Sequence, residues 1–204
     1  MTQATFWDKA APKYAKSPIG DPKAYEETLG RMRHHLQPDH EVLEIGCGTG
    51  STALQLAPGV RRYHGTDISP AMIGIAKGKL DPAKDANLSF SASPAGDLPE
   101  GPFDAILALN LLHLVPDLED VVARVHAKLP EGGLFIAKTA LLRDGSWFLS
   151  PAIAVMKALG KAPYVRKLSA AELRAILRDA GFETVEEILQ PGLAPRLFTV
   201  MRKV

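Results

Sequence analysis

The chain has 204 residues, 46% hydrophobic and 23% charged, which suits one α/β domain with a sizeable core rather than two full domains. Its formal net charge of +1 leaves no electrostatic footprint for nucleic acid or anionic lipid. A single cysteine, Cys47, excludes an internal disulfide and a cysteine-rich zinc site, and no run approaches the ~18 apolar residues of a membrane span.

Two helices are predicted ahead of the first strand, over 4–15 and 21–36, split by Ser17-Pro18-Ile19-Gly20. The second carries Tyr25, Leu29, Met32 and Leu36 at helical spacing. Strand-like and helical runs then alternate: strand 41–45, helix 50–57, strand 61–66, helix 70–80, strand 88–92, strand 103–109 and helix 117–129. In the last helix Leu118, Val121, Val122, Val125 and Leu129 mark one buried stripe. Gly132-Gly133 turns the chain into strand 134–139. Alternation of this kind predicts a parallel sheet with helices on both faces. Residues 140–165 break the rhythm, being apolar, aromatic and interrupted by Gly145, Pro151, Gly160 and Pro163. Ser169-Ala170-Ala171-Glu172 then reads as a capping box opening helix 170–180, which Gly181 stops. Strands 183–189 and 196–202 close the chain.

The most informative stretch is Val42-Leu43-Glu44-Ile45 running into Gly46-Cys47-Gly48-Thr49-Gly50-Ser51. A short buried strand feeds a tight turn and then a helix N-terminus. Glycines at 46, 48 and 50 remove the β-carbons that would hold a ligand off the backbone, and they permit φ > 0. Free N–H groups at the helix start offer donors to a polar ligand. Asp67, 17 residues past Gly50, ends the next strand, where a carboxylate accepts both hydroxyls of a ribose. A dinucleotide fingerprint would need glycine at 46, 48 and 51, and position 51 is serine.

The G-x-G-x-G order behind Glu44, followed by His64-Gly65-Thr66-Asp67-Ile68-Ser69-Pro70-Ala71-Met72, resembles motif I and the acidic second motif of the class I S-adenosylmethionine (SAM)-dependent methyltransferases. The resemblance covers residues 40–139 by motif and the rest by pattern. It implies an α/β, Rossmann-like fold. The sheet would be seven-stranded and mostly parallel, in the order 3-2-1-4-5-7-6 with the last strand antiparallel, with helices on both faces and an N-terminal helical lid. One domain over 1–204 would comprise a lid (1–37), a SAM-binding core (38–139), a substrate-side insertion (140–168) and a C-terminal helix and strand pair (169–204). The implied cofactor is SAM, with S-adenosylhomocysteine as product. The expected partner is a small-molecule methyl acceptor. No metal, nucleic acid or stable membrane insertion is expected, and the protein would be a monomer or homodimer. The start, Met1-Thr2-Gln3-Ala4-Thr5, lacks the charged and apolar regions of a secretory leader, so a cytoplasmic setting is expected.

Carried over residue by residue, the resemblance assigns Glu44 to orienting the glycine loop and reaching toward the methionine end of SAM. Gly46, Cys47, Gly48 and Gly50 form the loop, Cys47 as a small side chain that fits rather than a nucleophile. Asp67 takes the ribose, while Ile68 and Met72 resemble residues that pack on adenine, with core packing the alternative for Met72. The acid that often reads the adenine amino group is missing, because Pro94 stands at its place. Either Asp97 swings in, or Ser93 and the Ala95 N–H read the adenine edge. Asn110-Leu111-Leu112-His113 follows the fourth strand and resembles the segment of small-molecule methyltransferases that touches the methionine moiety and faces the acceptor. Asn110 and Leu111 are therefore cofactor candidates. His113 is a candidate general base with an ordinary pKa near 6.5, or a structural histidine. Phe6-Trp7-Asp8 with Tyr14 resembles the N-terminal helix of the ubiquinone/menaquinone-biosynthesis type, whose tyrosine approaches the methyl end. Arg143, Trp147, Phe148 and the 151–164 segment are expected to roof the acceptor pocket.

Three rivals fit less well. A nicotinamide-dependent short-chain reductase needs a Tyr-x-x-x-Lys pair, yet Tyr14, Tyr25, Tyr63 and Tyr164 are followed four residues on by Pro18, Leu29, Asp67 and Leu168. An aminopropyltransferase would place carboxylates where Asn110-Leu111 stands. A catalytically silent SAM-binding scaffold or sensor usually loses the glycines or the ribose acid, and both are intact here.

Overall fold

Seven strands make one sheet in the computed structural model, which describes residues 2–146, 156 and 162–204. In chain order the elements are α1 (Gln3–Lys16), α2 (Pro22–His35), β1 (Glu41–Ile45), α3 (Ser51–Leu56), β2 (Arg62–Asp67), α4 (Pro70–Lys77) and β3 (Leu88–Ala92). They continue with β4 (Ala105–Leu109), α5 (Leu118–Lys128), β5 (Leu134–Ala140), α6 (Ala170–Asp179), β6 (Phe182–Gln190) and β7 (Arg196–Lys203). Single 3₁₀ turns at Ala57–Gly59 and Leu112–Leu114 were not visible in the periodicity. The sheet order is β3-β2-β1-β4-β5-β7-β6, as the resemblance implies, and β7 alone runs against its neighbours.

The sheet is covered on both faces, which is why its central strands read as unbroken apolar runs such as Ala105-Ile106-Leu107-Ala108. On one face Leu118, Val121 and Val125 of α5 and Leu173 and Leu177 of α6 pack on Leu43, Ile45, Ile106 and Phe135. On the other, Leu29 and Met32 of α2, Ala53 and Leu56 of α3, and Ile73 and Ala76 of α4 cover Val42, Tyr63, Leu107 and Ile136. Local chemistry closes the helices: Ser169 and Glu172 form the expected capping box, and Ser69 caps α4 by accepting from the Met72 N–H. α4 ends at Lys77, three residues short of the expected 80, at the glycine Gly78. Trp147, Phe148 and residues 151–155 and 157–161, expected over the acceptor pocket, lie outside the described residues.

One lateral row matters for the site. Glu44 is in register with Gly65, and Gly65 with Phe90. A β-carbon at Gly65 would stand 2.7 Å from Phe90 Cδ1 and 2.9 Å from Cys47 Sγ, and one at Gly50 would stand 2.7 Å from Phe90 Cζ. Two glycines therefore make room for a single aromatic ring.

Candidate active site

The carboxyl ends of β1, β2 and β4 open onto a cavity of about 430 Å³, within the range of small-molecule sites. Its wall is assembled from five stretches of chain: Gln3, Trp7 and Tyr14 of α1; Gly46 and Gly48; Asp67, Ile68 and Met72; Ser93 to Gly96; and Leu109 to Leu111 with the approach and first turn of α5. This is the crevice that open α/β sheets offer to ligands.

The glycine loop forms because the chain must turn sharply between β1 and α3, with Gly46, Gly48 and Gly50 all left-handed at φ 71°, 55° and 73°. The three glycines do different things. A β-carbon at Gly48 would point toward Tyr14, 3.8 Å from its Cε1, so its absence opens the cavity floor. At Gly46 it would meet Leu111 Cδ1 at 2.7 Å, so its absence lets the loop close on the segment after β4. Gly50 faces Phe90 and Ala76 in the core, which corrects the expectation that all three glycines clear space for a ligand. Cys47 is likewise buried against Gly65 rather than on the wall, and burial pushes its thiol far up, out of reach of thiolate chemistry.

Asp67 is held at the end of β2 by two backbone donors. Gly48 N–H donates to Oδ2 and Ser69 N–H to Oδ1, each at 2.9 Å. Burial raises its pKa against those bonds, and the nearby Asp8 charge adds to the rise. Each oxygen keeps a further accepting lone pair, and the residue lines the cavity. Glu44 stands off the wall, 2% exposed. Its Oε2 accepts from Tyr63 O–H at 2.9 Å, and burial pushes its pKa up to about 7. Tyr63 was missed in the sequence because it reaches Glu44 only through the pairing of β1 with β2.

Ile68, Met72, Ser93 and Ala95 all reach the wall, and Met72 is at the same time a core residue at 2% exposure. Ser93 spends its hydroxyl on the Asp97 carbonyl at 2.6 Å. Asp97 is exposed, and its backbone N–H closes the turn on Pro94 O at 3.0 Å. Its carboxylate is absent from the wall, so the structure favours the alternative in which adenine is read without it. Besides Asp67, the acids that reach the wall are Asp117 and Asp120 at the start of α5, for which the sequence offered no signal beyond the helix boundary.

Asn110 is left-handed at φ 55°, the one non-glycine residue so placed among the described residues, with its N–H donating to Lys138 O at 2.7 Å. Asparagine is among the few non-glycine residues that adopt this conformation readily, and here it turns the chain at the cavity rim. His113 does not reach the wall, because the 3₁₀ turn Leu112–Leu114 carries it away. Burial, assisted by the Arg196 charge, lowers its pKa to about 4, and its Nδ1 is buried with no hydrogen-bond partner. So weak a base, off the cavity, does not fit the general-base role. Tyr14 lines the cavity over Gly48, and its pKa is raised by burial and by the charges of Asp67 and Glu44, so it remains a neutral phenol. Arg143 is engaged with Glu172 of α6. Among the described residues no group of three or more His, Cys, Asp or Glu is arranged to hold a metal ion, and no helix is long and apolar enough to cross a membrane.

A sheet of this order, with a glycine turn after its first strand and a fixed carboxylate after its second, defines the class I, SAM-dependent methyltransferase architecture. Residues 19–187 match the methyltransferase-domain family, and the chain belongs to it. It is 31% identical over 161 residues to an uncharacterized methyltransferase of Synechocystis sp., covering 77% of this chain and 73% of that one. Over 110 residues it is 33% identical to the magnesium-protoporphyrin O-methyltransferase of Rhodobacter capsulatus, 52% of this chain but only 49% of the relative. Among solved structures, the magnesium protoporphyrin IX methyltransferase of Synechocystis with bound S-adenosylhomocysteine superposes with a TM-score of 0.74 at 18% identity, covering 99% of this chain and 96% of that one. The [4+2]-cyclase SpnF superposes with a TM-score of 0.80 at 18% identity, over 100% and 96% of the two chains. A cyclase on the same fold shows that fold alone does not choose the reaction. The family match supports methyl transfer.

Proposed function

We propose that the protein transfers a methyl group in line from SAM to a small, partly apolar acceptor, without a metal. The observation that carries this reading is the Asp67 carboxylate, fixed by the Gly48 and Ser69 N–H groups on the wall of a 430 Å³ cavity whose floor is a glycine without a side chain. Asp67 accepts the ribose hydroxyls, Ile68, Met72 and the Ser93–Gly96 turn hold the adenine, and Gly46, Gly48, Asn110 and Leu111 receive the methionine part. Glu44 acts from behind the loop. When bound, SAM supplies a methyl group on a sulfonium that is already strongly electrophilic. The chain's task is therefore to align the acceptor and exclude water, with Trp7 and Tyr14 covering the site from α1. A base is needed only for a weakly acidic O–H, N–H or C–H acceptor. Near-neutral charge argues against a nucleic-acid acceptor.

Calorimetric titration of Asp67→Ala with SAM tests this. Hydrogen bonds to a charged group are worth ~1.5–3 kcal/mol each, and water replaces part of the lost pair, so affinity is expected to fall about ten- to several-hundred-fold. Stability is expected to fall by about 1–2 kcal/mol as the Gly48 and Ser69 N–H groups lose their acceptor. A folded variant with unchanged affinity refutes the ribose assignment. Release of S-adenosylhomocysteine, followed across phenol, quinol, amine and thiol acceptors, then identifies the acceptor class.

A further inference from the structure

α1 crosses the cavity and is pinned to both of its walls. Near its start, Gln3 Nε2 donates to Leu114 O at 3.2 Å, on the side leading to α5. Farther along, Asp8 Oδ1 accepts from Ser69 Oγ at 2.6 Å and from Ala71 N–H at 3.1 Å, on the side of β2 and α4. Trp7, next to Asp8, lies on the cavity wall.

The Asp8 contacts complete a helix end that its own sequence leaves open. In the first turn of α4, Pro70 has no N–H, and Ser69 Oγ reaches only the Met72 N–H. The Ala71 N–H is left for Asp8. With α1 lifted, that donor and the Ser69 hydroxyl hydrogen both lose their acceptor. Ser69 is also the link to the ribose acid, since its own N–H donates to Asp67 Oδ1. One residue thus holds the carboxylate of the lid through its hydroxyl and the carboxylate of the pocket through its amide. Both bonds to Asp8 lower its pKa, so it stays ionised, and its charge in turn raises that of Asp67. Hydroxyl donors arriving at Asp67 would relieve this repulsion.

We propose that Asp8 is a positioning residue: it latches α1 to the N-terminus of α4 and, through Ser69, sets Asp67, so that lid closure and ribose binding support each other. The inference rests on the reading of the cavity as a SAM site. The coupling is reciprocal, because whatever closure adds to cofactor affinity, cofactor adds to closure. It acts on cofactor retention rather than on the chemical step.

The test uses the full chain in a Trp147→Phe background, which leaves Trp7 as the one tryptophan. SAM and S-adenosylhomocysteine affinity is measured by calorimetry, their release by stopped-flow Trp7 fluorescence, and unfolding by urea. Asp8→Ala is expected to weaken both ligands about five- to thirty-fold and to speed release by a similar factor. Asp8→Asn keeps an acceptor oxygen and removes the repulsion of Asp67, so it is expected to bind within about threefold of the parent. If the parent binds SAM and Asp8→Ala binds and releases it alike within twofold, the latch is refuted. Refutation also follows if both variants lose affinity only in step with stability. A parent that binds no SAM instead overturns the cofactor reading itself.

Discussion

Glu44→Gln isolates the energetic consequence of placing a carboxyl group in the core. Folded, that group has a pKa of about 7 against an ordinary 4.5, because burial outweighs the one bond from Tyr63. The folded state therefore keeps the proton over a range where the unfolded chain has lost it. Stability from this group is fully present below pH 4.5 and is lost as pH rises to 7. At about 1.4 kcal/mol per pH unit, the loss amounts to about 3 kcal/mol. Glutamine cannot ionise, yet its amide oxygen still accepts from Tyr63. The variant should match the wild type at pH 4.5 and exceed it by about 3 kcal/mol at pH 8, or about 6–12 °C in Tm for a chain of this size. Urea unfolding of both proteins without cofactor, at half-unit steps from pH 4.5 to 8, reads the difference directly. Taking the difference also cancels His113, whose depressed pKa drives stability the opposite way between pH 4 and 6.5. Parallel stability–pH curves for the two proteins would refute the reasoning. A carboxylate kept against such a cost is expected to serve binding, so the stabilised variant should hold SAM more weakly.

The glycine loop separates packing from binding. Gly50→Ala, left-handed and 2.7 Å from the Phe90 ring, is expected to lose about 2–4 kcal/mol in urea unfolding, and wild-type stability would refute its place in the core. Gly48→Ala carries only backbone strain of about 1–2 kcal/mol but puts a methyl group into the cavity, so calorimetry should show SAM binding weakened more than about tenfold. His113→Leu removes a buried nitrogen that has no partner. Its kcat/KM should stay within about threefold of wild type, and stability should rise by up to about 1 kcal/mol. A lost acidic limb in the pH–rate profile would restore the general-base role.

What could be read from the sequence was local. The strand, turn and helix around Gly46–Gly50 and the acid ending β2 follow from patterns within about 10 residues, and Asp67 stands where they put it. The sheet order came from the resemblance rather than from periodicity. What escaped depended on register or on side-chain direction within an irregular turn. Tyr63 meets Glu44 only once β1 lies on β2, and nothing along the chain marks that bond. In the glycine loop, Gly46 and Gly48 face the cavity, while Cys47 between them and Gly50 beyond face the core. At the end of β4 a single 3₁₀ turn takes His113 off the wall. Asp97 was a candidate by proximity in sequence, but the turn that brings Ser93 and Ala95 to the cavity leaves it outside.

Phe90 shows how far one ring can bind distant parts of the chain together in descent. It occupies space that two residues, one after β1 and one within β2, leave open by having no side chain. Neither glycine can acquire even a methyl group while the ring remains, and the ring can shrink at the cost of a void. Substitutions here have a preferred order: position 90 must become smaller, and Cys47 give way, before position 65 can carry a side chain, while the left-handed turn favours glycine at position 50 whatever stands at 90. Lineages of this family should accordingly inherit these three sites as a set, with leucine or smaller at 90 wherever 65 has ceased to be glycine.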